Sequence, residues 1–169
     1  MFMINLLSII IIYIITVFIL SRLVIPHLGF KKDNLPINIS DNINRKIQEL
    51  KNKANSKNEF LKLAYDFLGS KYKTGRLLTF LKLHYLFKNV DEVWDMSGFM
   101  PCTQSGYLMR IFLIRSGFFK EEEICIKHTF VDFNIHQYLQ VKINDVWLDV
   151  DVGEQQRGML IGNHLKFFG

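Results

Sequence analysis

Residues 135–152 constrain this chain more than any other segment. Ile135-His-Gln-Tyr-Leu-Gln-Val-Lys-Ile143 and Val146-Trp-Leu-Asp-Val-Asp-Val152 flank Asn144-Asp145, the pattern of two antiparallel strands joined by a two-residue turn. Such a turn fixes the register, which places Ile143 opposite Val146, Gln140 opposite Asp149 and Tyr138 opposite Asp151. Side chains alternate along a strand, so His136, Tyr138 and Gln140 share one face with Asp149 and Asp151. His136 is then one diagonal step from Asp151, while Asp149 lies further along the ladder.

Upstream, Pro101-Cys102-Thr-Gln-Ser-Gly-Tyr-Leu-Met-Arg110 reads as the start of an apolar helix. Proline suits a helix start, and a thiol in the first turn faces unpaired N–H groups and the positive end of the helix dipole, which lower its pKa. A thiol also needs an imidazole to become a thiolate near neutral pH, and the imidazole needs a carboxylate to orient it. Cys102, His136 and Asp151 are the candidates for these three roles. His128, Asp132 and Asp149 are the rivals for base and carboxylate, and the hairpin register favours His136 and Asp151. The second thiol, Cys125, lies in the β-branched run Glu123-Ile-Cys-Ile-Lys127, where a cysteine acts as a small core hydrophobe. The plain alternative for Cys102 is the same, a packed thiol, and for Asp149 and Asp151 it is a solvated strand face.

From Cys102 to the C-terminus these residues resemble the transglutaminase-like (papain-like thiol) superfamily. In that family a cysteine at a helix start is followed by a His-x-Trp strand and a Trp-x-x-x-Asp strand. The matching elements are Cys102, His136-Gln-Tyr138 and Trp147-Leu-Asp-Val-Asp151, with Tyr138 in place of the usual tryptophan. The tail Arg157-Gly-Met-Leu-Ile-Gly162-Asn-His164 is similar to the glycine-bearing segment that follows the aspartate in short bacterial members. The resemblance covers about the last 70 residues. It implies an α+β fold, helices followed by an antiparallel sheet, and acyl transfer through a Cys-His-Asp triad. The substrate is a peptide or protein amide, with water as acceptor in a peptidase or amidase and an amine in a transamidase. A catalytically silent domain that holds a partner protein is the other reading. An oxyanion would be met by the Cys102 N–H and an upstream donor, Trp94 or Ser97.

The other end of the chain is of different character. Residues 1–21 carry no charged side chain, and a helix extended to Ile25 would be about 30 Å long, enough to cross a membrane. No basic residue precedes the apolar run and no small-residue cleavage pattern follows it, which argues for a retained transmembrane anchor over a signal peptide. Arg22, Lys31, Lys32, Arg45 and Lys46 follow the anchor, so the positive-inside rule puts the C-terminal domain in the cytoplasm. Two cysteines without partner spacing suit a reducing compartment. The expected organisation is an anchor and flank over 1–28, a polar connector over 29–40 and a transglutaminase-like domain over 41–169.

Between connector and nucleophile the periodicity predicts helices from Ser40 to about Ala54, from Ser56 to a stop at Gly69, and from Arg76 to Lys88, with His84 on that last helix as a packed or surface residue. The Cys102 helix should end near Ser116 with Gly117 as its cap. A first strand is expected over 124–133. The net charge of +5 is spread along the chain with no basic stripe, which argues against nucleic acid. No His-x3-His or Cys-x2-Cys pair is present, so neither a metal nor any other cofactor is called for.

Overall fold

The turn at Asn144-Asp145 adopts positive φ at both residues, 49° and 65°, the geometry whose twist matches paired strands. In the computed structural model, which describes residues 5–28, 32–73, 75–96, 98–131 and 134–164, the hairpin forms in the expected register. Strand β4 (Asn134–Ile143) pairs antiparallel with β5 (Val146–Val150), Ile143 facing Val146 and Gln140 facing Asp149. On its other edge β4 pairs with β3 (Ile124–Val131), giving the order β3-β4-β5. Of the strand expected over 124–133, Asp132 and Phe133 lie outside the described residues.

One face of this sheet, with Ile124, Leu139, Val141 and Val150, is buried in the core. Against it lies α7 (Cys102–Arg115), where Gly106 comes so close to β4 that an added Cβ would sit 3.4 Å from Gln137 Nε2. Pro101 is the residue before the helix and Cys102 its first residue. The helix ends as its sequence predicts, with Gly117 at φ 78°.

Helices α3 (Asp41–Lys53) and α4 (Lys57–Lys71) complete the core, α3 through Ile43, Ile47 and Leu50 and α4 through Phe60, Leu61, Ala64 and Leu68. Ser56 caps α4 by accepting from the Glu59 N–H. Gly69 does not stop α4, contrary to expectation. It lies inside the helix where the 3-10 turn Val152–Arg157 presses on it, and a Cβ there would meet Gln155 Oε1 at 2.6 Å. That glycine serves close approach, so tertiary packing overrides its usual role as a breaker.

The stretch expected as one helix from Arg76 to Lys88 is broken into α5 (Arg76–Leu81) and a 3-10 turn (Leu83–Phe87), with His84 exposed. A short helix α6 (Val90–Asp95) follows, held by a reciprocal cap between Asn89 and Glu92. Two-residue strands β1 (Tyr72–Lys73) and β2 (Gly98–Phe99) pair in parallel and close this region.

The N-terminal run is where expectation and structure part. Among the described residues no helix is long and apolar enough to cross a membrane. Helix α1 (Leu6–Ile15) gives way to a π-helical turn at Thr16–Leu20 and then to α2 (Ser21–Val24). Inside that wider turn the Ser21 hydroxyl donates to the Val17 carbonyl, and Thr16, Val17, Ser21 and Ile25 border a cavity in the domain. The helical run expected through Ile25 thus ends at Val24 and changes register at the π-helical turn, and part of its second half borders protein.

The connector does the placing. His27 stacks on Tyr107 with ring centroids 3.7 Å apart, Arg110 donates to the Asp33 carbonyl at 2.7 Å, and Arg115 donates to the Pro36 and Ile37 carbonyls. Later positions of α7 thus hold later positions of this segment in the same order. The connector runs parallel to α7, which leaves residues 16–28 at the end of the helix where Cys102 sits.

Candidate active site

Cys102 is the first residue of a fourteen-residue helix, so its thiol stands beside N–H groups that have no partner within the helix. His136 comes from β4 and is buried. Its Nε2 lies 2.7 Å from Asp151 Oδ2, which leaves Nδ1 for the Cys102 thiol, with which the ring shares a cavity and an electrostatic interaction. Asp151 is 1% exposed and follows directly on β5, at the entrance to the 3-10 turn. Its backbone is held by α4, where the Tyr65 hydroxyl donates to the carbonyls of Asp151 at 3.3 Å and Met159 at 2.7 Å. Burial pushes the Tyr65 phenol up, which keeps it a proton donor.

The electrostatics of the thiol and imidazole are reciprocal. Burial pushes the Cys102 thiol up, but the hydrogen bond and charge of His136, together with the backbone N–H of Gln137, outweigh it and hold the thiol below its ordinary value. Burial pushes His136 down, and the hydrogen bonds to Asp151 and Cys102 overcome this and raise it to about 10. Both shifts favour a thiolate facing an imidazolium, the nucleophile–acid pair that acyl transfer needs.

The rival residues are placed elsewhere. Asp149 is engaged by Gln140 Nε2 and by His164 Nδ1, each at 2.7 Å. His128 points with Gln137 to the other side of the sheet, where burial, then Arg22, holds it below its ordinary value. Cys125 lies on β3, opposite Gln140 and half-buried. Trp94 packs between Phe67 and Phe112, about three turns along α7 from Cys102, with the Lys71 ammonium 3.5 Å over its ring. It does not border the Cys102 cavity, so its expected role as oxyanion donor has no geometric support. Ser97, the other donor considered, and Asp132, the rival carboxylate, lie outside the described residues.

Three contributors escape the sequence. The first is the Gln137 N–H at the thiol, a backbone group that no motif encodes. The second is Thr103, next to the nucleophile, 3% exposed and with a hydroxyl that has no hydrogen-bond partner among the described residues. The third is a cavity of about 230 Å³ that Cys102 and His136 share with the N-terminal segment and the Leu83–Phe87 turn.

No protein-family model matches the chain, and no curated protein matches it. A solved structure described as a TGase is similar in shape, with a TM-score of 0.47 and 12% identity over 77% of this chain. The match takes in 36% of that protein, so the chain spans about a third of its length.

Proposed function

We propose that the protein is a transglutaminase-like thiol enzyme that acts on amide bonds through Cys102, His136 and Asp151. One observation carries this reading: a buried His136 bonded on one ring nitrogen to Asp151 at 2.7 Å shares a cavity with a thiol at a helix start, and the two shift each other's titration. In the reaction the Cys102 thiolate attacks the amide carbonyl and the imidazolium of His136 gives its proton to the leaving amine as the C–N bond breaks. Asp151 keeps the ring oriented and stabilises its charged form. First-turn N–H groups of α7, that of Cys102 included, face the developing oxyanion. Water or an amine then attacks the thioester, passes its proton to His136 and restores the thiol. The substrate proposed is a peptide or protein amide.

The test is intact-protein mass spectrometry after exposure to an amide library. A covalent acyl adduct is expected on Cys102 and absent from Cys102→Ser, because the thioester forms whichever acceptor follows. No adduct, with iodoacetamide alkylation no faster than that of a free cysteine, would replace the reading with a silent partner-binding domain.

A further inference from the structure

The wall that faces Cys102 and His136 is hydrocarbon, built by Val17, Ile25 and Leu28 from the N-terminal segment and by Leu83, Leu86 and Ile135 from the domain. Two of its other hydroxyls are engaged, Ser21 donating to the Val17 carbonyl and Thr79 to the Gly75 carbonyl at 3.1 Å, and the third, on Thr16, belongs to an exposed residue of the border. Thr103 differs, being buried beside the nucleophile with its hydroxyl unpartnered among the described residues. An incoming group therefore meets a donor at the thiol end and apolar surface behind it. A peptide strand laid in this cavity would carry an N–H and a C=O at every residue, and each one left unpaired weakens binding roughly tenfold or more. A chain with one carbonyl at its head and methylenes behind leaves nothing unpaired.

We propose that the acyl group taken up by Cys102 is a medium-length aliphatic chain, with its tail in this cavity against the N-terminal segment and its carbonyl oxygen accepting from Thr103. The inference rests on the acyl-transfer reading and specifies its donor. The cavity of about 230 Å³ is half as large again as the roughly 150 Å³ that holds benzene, which leaves room for on the order of nine carbons. In the step itself the Sγ–C bond forms and the bond from the acyl carbon to nitrogen breaks. The proton on His136 leaves with the amine, and water later releases the fatty acid and regenerates the thiol.

The experiment is a chain-length series of p-nitrophenyl esters from acetate to palmitate on the full chain, followed by nitrophenolate release. kcat/KM should rise about fourfold per methylene, the value of burying each one, to about eight to ten carbons and then level off or fall. Val17→Trp should move the optimum to about four carbons or fewer, whereas Ile11→Trp, on the exposed face of α1, should leave the optimum in place. Thr103→Val, the same shape without the hydroxyl, should lower kcat on the order of 10²-fold at every length with little change in KM. N-octanoyl-lysine in a peptide and N-octanoyl ethanolamine then distinguish an acylated protein from a lipid amide as the source, and turnover of either supports the proposal. Rates independent of chain length, or an optimum that Val17→Trp does not move, would overturn the aliphatic donor and leave acyl transfer standing. No release dependent on Cys102 at any length would overturn both.

Discussion

Two histidine–aspartate pairs lie on the same face of one three-stranded sheet, and only one of them has a thiol beside it. His136–Asp151 and His164–Asp149 have the same 2.7 Å separation. Asp151 is 1% exposed and its histidine 10%, whereas both members of the outer pair are 17% exposed. The outer imidazole lies flat on the Tyr138 ring, 4.2 Å between centroids and 1° from parallel, and fastens the tail alongside the Gly162 N–H bond to the Asp149 carbonyl. The lesson is that a His–Asp contact has no chemistry of its own. What separates the two pairs is the third group beside the ring, which α7 supplies to His136 as the Cys102 thiol and which the outer pair lacks among the described residues.

That contrast can be broken most forcefully at the inner pair. His136→Ala should slow iodoacetamide alkylation of Cys102 at neutral pH at least tenfold and reduce turnover by roughly 10²- to 10⁴-fold. His164→Ala should leave both within about twofold, and equal effects from the two would dissolve the distinction. Next in size are the carboxylates. Asp151→Asn leaves an imidazole of the wrong tautomer and should cost up to about 10⁴-fold in kcat, against less than about tenfold for Asp149→Asn. A reversed ranking would transfer the orienting role to Asp149.

The pH profile sharpens the comparison further. As the pH falls the thiolate of Cys102 takes up a proton, so alkylation should fall along an acid limb that lies below the value near 8.5 of a free cysteine, because the thiol is held down. His136 is raised to about 10, so the imidazolium persists across the neutral range and adds no limb of its own there. In His136→Ala burial acts on the thiol without its counter-charge, and the limb should move above that of a free cysteine. A limb unmoved by this substitution would mean that the imidazole does not act on the thiol. The smallest effect belongs to the outer pair: His164→Ala should lower stability by about 1 kcal/mol in urea unfolding, the value of one partly buried hydrogen bond. A loss of several kcal/mol would give the tail a larger structural part than fastening.

How much of this was legible in the residues follows from the range of the forces involved. The hairpin was, because a two-residue turn and period-two alternation are local, and they bring His136 toward Asp151 without further information. The helix of Cys102 was legible for the same reason. Gly69 was misread because its neighbour Gln155 is 86 positions away in sequence, and only the fold brings the two together. The broken helix at Leu83–Phe87 reflects tertiary demand of the same kind, since Gln104 of α7 donates to the Leu86 and Lys88 carbonyls and pulls that segment over the nucleophile. The π-helical turn at Thr16–Leu20 within the N-terminal run was not legible, because hydropathy records that a segment avoids water and not the register of its backbone hydrogen bonds.

The connector that runs alongside α7 has a practical consequence for anyone who purifies this protein. The greasy first residues are what a protein chemist would cut off to improve solubility, with the polar stretch before Ser40 as the natural place to cut. The shortened protein would keep Cys102, His136 and Asp151 and would lose Thr16, Val17, Ser21, Ile25 and Leu28 from the chamber beside them. Its thiol would still react with small alkylating agents, so a routine quality check would pass a preparation that had lost one wall of its chamber.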